Sequence, residues 1–260
     1  KHMKKNLYWL LSLIIALSMI LSACGPQATE AVEVVVEPTE AEVVEPTAEP
    51  VAEPTAEPTP EPLDYVALFT AAMADINPDK GYLNVKPATL AEELAGTAPF
   101  VLDVREASEI EAAGYIEGAV HIPVRDLLKN LDKLPGLDEP IVVTCASGHR
   151  GGFVLVALKM MGYTNVRNLS GGMGGWIKAE LPVVTGVPAA PAAISTAIIE
   201  NQQLWTDLDN WFSNIPEGFY SIKADKLNEN LAGGATPVFI DVRSAGEWTA
   251  DGYLAGAINL

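Results

Sequence analysis

Cysteine, histidine and positive charge are all scarce in this chain. Two cysteines and three histidines occur among its 260 residues, which excludes a framework of several disulfides. These residues also show no clustered ligand spacing, so we expect no metal site, and no motif indicates a cofactor. Sixteen Lys and Arg stand against 34 Asp and Glu, which gives a formal net charge of −18. Such an acidic balance argues against nucleic acid as a partner.

The first 24 residues predict an export signal. Lys4 and Lys5 precede an apolar run at 7–21, and small residues follow before Cys24. This is the order of a secretory signal peptide, and a cysteine directly after Leu-Ser-Ala makes it resemble a bacterial lipoprotein signal. The resemblance implies that Cys24 is lipidated and that the chain is extracytoplasmic, in the cell envelope, anchored to a membrane by this lipid. The alternatives are an uncleaved anchor and a plain signal peptide.

Residues 25–63 predict a disordered tether. Between positions 26 and 62 the sequence holds ten Glu, eight Pro and no Lys or Arg. A segment of this composition repels itself, cannot bury a core and favours extended polyproline II geometry. We therefore expect it to hold the rest of the chain away from the membrane surface, and it accounts for more than half of the net negative charge.

The rest of the chain contains an internal repeat at an offset of 137 or 138 residues. The matching segments are 81–86 with 218–223, 102–105 with 240–243, and 114–119 with 252–257. We predict a complete domain at 64–185, a linker at 186–200, and the N-terminal part of a second, homologous domain at 201–260. The counterpart of Cys145 would fall beyond Leu260, so we expect the second copy to be truncated. Residues 238–242 would then lack the strands that pair with them.

Strands and helices alternate along the complete copy. The apolar runs at 100–104 and 141–144 are typical of strands buried on both faces. Shorter strands are predicted at 120–123 and 166–169, and helices at 87–94, 107–113, 125–131 and 152–161, with Thr89 as a possible helix cap. This alternation predicts an α/β fold, a small parallel-sheet domain with a partial second copy.

Cys145 is the candidate nucleophile, because it follows the buried strand 141–144 directly and a helix begins shortly after it. Open α/β sheets bind ligands at the carboxyl ends of their strands. Inward-pointing amides of the 146–151 loop and the helix N-terminus would stabilise a thiolate over a thiol. Gly148 and Gly151 permit the backbone angles that such a cradle needs. Arg150 and His149 could add positive charge for an anionic substrate.

Four motifs in this order resemble those of the rhodanese-like sulfurtransferase family. They are Asp-Val-Arg at 103–105, Gly-Tyr-Ile-Glu-Gly-Ala-Val-His-Ile-Pro at 114–123, Cys-Ala-Ser-Gly-His-Arg-Gly at 145–151, and Leu-Ser-Gly-Gly-Met-Gly-Gly-Trp at 169–176. The family often has His where Tyr115 stands here. The resemblance implies that the Cys145 thiolate takes sulfane sulfur from a donor such as thiosulfate or polysulfide. It would hold this sulfur as a persulfide and pass it to a thiol or cyanide acceptor.

The resemblance also implies roles for individual residues. Cys145 would be catalytic, with Asp103 and Arg105 in supporting positions. The substrate-binding loop would consist of Ala146, Ser147, Gly148, His149, Arg150 and Gly151. In relatives, a loop of six residues from the cysteine to the arginine suits sulfur, whereas a loop one residue longer suits phosphate. A phosphatase-like use of the loop is therefore the weaker alternative.

Two further hypotheses belong to different classes of function. The domain could be a non-catalytic binding or sulfur-sensing module, in which Cys145 reacts with sulfur species without turnover. Alternatively, a complete second domain could carry the catalysis, with the first as a scaffold. Acceptor turnover separates the first hypothesis from an enzyme, since both would load sulfur.

Overall fold

Two short apolar strands lie at the centre of a parallel sheet. The computed structural model describes residues 62–196 and 199–260. The predicted signal at 1–24, with Cys24, and nearly all of the predicted tether lie outside these residues. Within them, no helix combines the length and the apolar character needed to cross a membrane.

The sheet has five parallel strands in the order β1-β5-β4-β2-β3. The strands are β1 Asn84–Val85, β2 Phe100–Asp103, β3 Val120–His121, β4 Ile141–Thr144 and β5 Val166–Leu169. Every residue of β4 is buried, because β2 and β5 flank its edges and side chains cover both faces. The expected α/β fold with a parallel sheet is therefore confirmed, and β1 is a strand that the sequence did not predict.

Helices surround the sheet on both faces. The α-helices are α1 Tyr65–Met73, α2 Pro87–Ala95, α3 Ala107–Ala113, α4 His149–Met160, α5 Gly172–Lys178, α6 Gln202–Ser213, α7 Ala224–Ala232 and α8 Ala245–Asp251. Two 3₁₀ segments, Pro78–Leu83 and Val124–Lys133, join them. The core divides into two apolar clusters. One lies with β4 and α4 and includes Cys145, and the other lies with α2 and α5 around Trp176.

Three local expectations were wrong. Helix α4 begins at His149 and not at 152, because Gly148 adopts the left-handed conformation that ends the loop. Helix α2 begins at Pro87, whose fixed φ suits a first helical position, so Thr89 is not its cap. The stretch expected as an α-helix at 125–131 is 3₁₀, and it is bent at Asn130.

Helix α6 packs into the same core as the strands, although it follows the predicted linker. Leu204, Phe212 and Ile215 are almost fully buried in the cluster around β4. The Trp205 indole N–H also donates to the Leu128 carbonyl at 2.8 Å. The linker at 186–200 and the domain boundary at 201 stay predictions.

Beyond α6, the C-terminal residues form a small exposed unit. Strands β6 Ile240–Asp241 and β7 Ile258–Asn259 pair in parallel. The expectation that 238–242 has no pairing partner is therefore wrong, because β7 supplies one. The register of this pair is the one that β2 and β3 adopt between Leu102 and Val120.

Candidate active site

Cys145 lies at the carboxyl end of β4, at the bottom of a short loop. The loop ends at Gly148, whose φ of +93° is accessible to glycine at little cost. This turn brings the Gly148 N–H to 3.1 Å from the Cys145 Sγ, to which it donates. The cysteine is fully buried. The loop geometry therefore provides at least one backbone donor for the sulfur.

The first residues of α5 donate hydrogen bonds to the loop that contains Cys145. The Met173 N–H donates to the Cys145 carbonyl at 2.7 Å, and the Gly174 N–H donates to the Ala146 carbonyl at 2.9 Å. Gly172 lies so close that a Cβ there would be 2.3 Å from the Cys145 carbonyl oxygen. The motif at 169–176 is thus packed directly against the cysteine, and only glycine fits at position 172.

The Asn168 side chain on β5 also donates a hydrogen bond to the Cys145 loop. Its Nδ2 donates to the Gly148 carbonyl at 3.2 Å and to the Asn84 Oδ1 at 3.0 Å. A Cβ on Gly151 would lie 2.1 Å from the Asn168 Oδ1, so any larger residue there would displace the Asn168 amide. Sequence analysis missed both asparagines. The sequence signal was weak, because β5 reads Val-Arg-Asn-Leu and Arg167 already makes it partly polar.

In the described structure, Arg150 forms an ion pair with Glu109. Its two terminal nitrogens each donate to a carboxylate oxygen of Glu109 at 2.6 Å. Burial is the largest influence and lowers the pKa of Arg150, but the hydrogen bonds to Glu109 and the attraction of nearby negative charges together outweigh it, so the net shift of this pKa is upward. Burial is also the largest influence on Glu109 and raises its pKa, but the Arg150 hydrogen bonds, the Glu106 N–H and the charges of Arg150 and Arg105 together bring this pKa below its ordinary value. The positive charge expected for substrate is therefore largely compensated by Glu109.

Asp103 and Arg105 form a second buried ion pair, under the turn that follows β2. The Arg105 Nη2 donates to the Asp103 Oδ2 at 2.6 Å and to the Gly114 carbonyl at 2.8 Å. The His121 Nε2 lies 2.8 Å from the Arg105 carbonyl oxygen. These contacts stabilise the turn and do not involve the Cys145 side chain; the supporting role of Asp103 and Arg105 stays a prediction.

Residues from beyond the predicted linker contact the outer side of the loop. Ser221 Oγ lies 3.1 Å from the His149 Nδ1. The Cζ atoms of Arg150 and Arg125 lie over the Phe219 ring, 4.2 Å and 4.7 Å from its centroid. Neither contact could be predicted from the sequence, because the two partners are about 70 or more residues apart in the chain.

The predicted site residues thus converge on one loop, with three exceptions. Asp103 and Arg105 lie under the neighbouring turn, and Cys24 lies outside the described residues. Ser147 and His149 have exposed side chains, whereas Arg150 and Gly151 are buried. Across 62–196 and 199–260, no three His, Cys, Asp or Glu side chains are grouped so that they could hold a metal ion. The Gly148 N–H is a backbone donor that can stabilise a negatively charged sulfur at Cys145.

Comparison with known proteins identifies the same region. The family described as "Rhodanese-like domain" matches residues 86–179. Thiosulfate sulfurtransferase GlpE of Haemophilus influenzae is 33% identical over 95 residues, which are 36% of this chain and 89% of that protein. A sulfurtransferase of Allochromatium vinosum is 34% identical over 97 residues, which are 37% of this chain and 89% of that protein.

A solved structure of a rhodanese-related protein from Thermoplasma volcanium is 31% identical. The match covers 40% of this chain and 98% of that one, with a TM-score of 0.35. The family match at 86–179 contains the Cys145 loop and the α5 segment, and each of the two sulfurtransferases is matched over 89% of its own length. This chain therefore belongs to the rhodanese-like family.

Proposed function

We propose that this chain is a sulfurtransferase that carries sulfane sulfur as a persulfide on Cys145. The observation that carries the proposal is the loop around Cys145, in which the Gly148 N–H donates to Sγ at 3.1 Å. Backbone donors stabilise a negative sulfur, whether it is the thiolate or the terminal atom of a persulfide. The relatives named thiosulfate sulfurtransferase and sulfurtransferase support this class of reaction.

The proposed reaction consists of two nucleophilic displacements. The Cys145 thiolate attacks the outer sulfur of thiosulfate, and a new S–S bond forms while the bond within thiosulfate breaks. Sulfite leaves with the bonding electron pair. Cyanide or an acceptor thiolate then attacks the terminal sulfur and takes it as thiocyanate or as a new persulfide. The Cys145 thiolate is regenerated, and a polysulfide donates in the same way with a shorter polysulfide as the leaving group.

The loop residues contribute mainly through their backbone. The amides from Ala146 to Gly151 form the cradle for the donor, and the exposed side chains of Ser147 and His149 lie where a donor or acceptor approaches. Arg150 fastens the loop to α3 through Glu109 at 2.6 Å. A small anionic donor such as thiosulfate suits this arrangement, because N–H donors bind anions without a neighbouring cation.

Sulfur loading and turnover test the proposal. The purified full chain is incubated with thiosulfate or polysulfide, its intact mass is recorded, and thiocyanate is measured after cyanide is added. We expect a gain of one sulfur atom on Cys145 followed by cyanide-dependent turnover. Cys145→Ser should abolish both steps, whereas the matched control Cys24→Ser should keep them. Folded protein that neither gains sulfur nor releases thiocyanate would refute the proposal.

A non-catalytic sulfur-binding module is the second candidate. Two observations favour it: Cys145 is fully buried, and the charge of Arg150 is compensated by Glu109. Such a module would gain sulfur on Cys145 but would release no thiocyanate over repeated cycles. The turnover step of the same experiment therefore separates the two functions.

We also propose that the chain acts in the cell envelope, anchored by a lipid on Cys24, and that 201–260 begins a second domain of the same family. The Leu-Ser-Ala-Cys order supports the anchor. The matching registers of β6–β7 and β2–β3 support the second domain. Incorporation of labelled palmitate in a bacterial host, abolished by Cys24→Ser, tests the anchor. Absence of label on the wild-type chain would contradict it.

A further inference from the structure

Asn168 has an unusual environment for a strand residue beside a cysteine loop. It is 8% exposed, and its Oδ1 has no hydrogen-bond partner among the described residues. Its Nδ2, in contrast, donates to both the Gly148 carbonyl and the Asn84 Oδ1. Both partners are acceptors, so a flipped amide would lose both bonds. The side chain therefore keeps its donor on the loop and leaves its acceptor unpaired.

Such an arrangement does not serve stability alone. An unpaired amide oxygen in the interior is unfavourable, and an apolar β-branched residue would suit a buried parallel strand better. The other buried positions of β5, Val166 and Leu169, are apolar, whereas Arg167 is only partly buried and is paired with Glu93. Costly polar groups of this kind concentrate at functional sites.

We propose that Asn168 is a positioning residue for sulfur transfer, acting through Gly148; this rests on the function proposed above. The Gly148 carbonyl accepts from Asn168 at 3.2 Å and from the Gly152 N–H at 3.0 Å. The N–H of the same residue donates to the Cys145 Sγ at 3.1 Å. Gly148 has the backbone freedom of glycine, so the Asn168 bond restricts its rotation and keeps the amide directed at the sulfur.

The test compares Asn168→Val with the wild-type full chain. Valine fits a buried strand, removes the unpaired oxygen and adds no bulk beside Gly151. We expect the sulfur-loading rate at saturating thiosulfate to fall roughly five- to tenfold, the effect of losing one orienting hydrogen bond. The thiosulfate concentration for half-maximal rate should change less than twofold, and the unfolding temperature should stay equal or rise. Asn84→Ala, at an exposed position, should lower the same rate roughly twofold because Asn168 loses one of its two acceptors.

A second readout keeps this inference separate from the proposed reaction. The rate at which iodoacetamide alkylates Cys145, followed by peptide mass to exclude Cys24, should fall in Asn168→Val even if thiosulfate is not a donor. Arg167→Met is the matched control, because this neighbour on β5 points to the other face and pairs with Glu93. It should lower stability without slowing alkylation. The inference would be overturned if Asn168→Val alkylated and loaded sulfur at wild-type rates. It would also be overturned if both rates fell only in proportion to the fraction of the variant that is folded.

Discussion

The contact between Gly172 and the cysteine loop gives a sharp prediction, Gly172→Ala. The added Cβ would lie 2.3 Å from the Cys145 carbonyl oxygen and 2.8 Å from the Ser147 nitrogen. Both are backbone atoms, so no side chain can rotate away. An ordinary contact begins at 3.4 Å, and the loop and α5 must therefore separate by about 1 Å.

The expected cost has two parts that a matched variant separates. Gly172 has a φ of +55°, and an alanine in that region costs roughly 1–2 kcal/mol. Gly118 has a φ of +78° but nothing within 4 Å of its Cβ position. Gly118→Ala should thus lose about 1 kcal/mol of stability and keep its sulfur transfer. Gly172→Ala adds overpacking, which typically costs about 1–3 kcal/mol more.

The larger effect should be on chemistry. A displacement of ~1 Å at a reacting group can lower a rate on the order of 100-fold. Urea unfolding gives the two stability changes, and rapid-mixing measurements of sulfur loading on folded protein give the two rates. If Gly172→Ala loads sulfur within about threefold of Gly118→Ala, the close packing of α5 on the loop does not position Cys145, and the reasoning fails.

Three further predictions concern the supports of the site. Glu109→Gln should lower stability by about 2 kcal/mol at pH 7 by leaving Arg150 without its ion pair. The pKa of Glu109 is held below its ordinary value, so the stability that its carboxylate contributes is lost as pH falls below about 4.5 and the carboxylate protonates. The difference in unfolding free energy between the wild-type chain and Glu109→Gln should therefore shrink in acid. Unfolding curves in acid that show the same difference as at pH 7 would contradict this prediction. Phe219→Ala should speed proteolysis of 216–222 while Phe219→Tyr does not, since tyrosine keeps the cation–π contact with Arg150 and Arg125. Phe212→Ala should cost about 3–5 kcal/mol in urea unfolding, because Phe212 is fully buried; a cost below 1 kcal/mol would show that α6 is not part of the core.

Sequence reasoning predicted the parts of the fold that local pattern encodes. The apolar runs gave β2 and β4 within a residue, because a strand covered on both faces has to be apolar throughout. It missed β1, whose two residues are too few for any periodicity. It also missed the packing of α6 into the core, since an amphipathic helix does not show which surface its apolar face will cover.

The candidate site divides in the same way. The loop from Cys145 to Gly151 is contiguous, so its residue types and spacing indicated the site directly. Its supports come from elsewhere in the chain: Glu109 is 41 residues from Arg150, and Ser221 is 72 from His149. Those partners are chosen by tertiary packing, and one sequence without structure carries no signal for them. That Arg150 adds positive charge for an anionic substrate stays a prediction, and its pairing with Glu109 could not be foreseen.

The two Asp-Val-Arg motifs show how little such a motif says about chemistry. Arg105 and Arg243 each donate to the aspartate two residues earlier at 2.6 Å, and each to a glycine carbonyl nine residues later at 2.8 Å. The Arg105 side chain is 2% exposed and the Arg243 side chain 35%. The geometry is therefore set by local sequence, whereas its energy depends on context: an exposed pair contributes little, and breaking a buried pair is costly. The motif identifies a turn, and only the loop that contains Cys145 determines whether such a domain can carry sulfur.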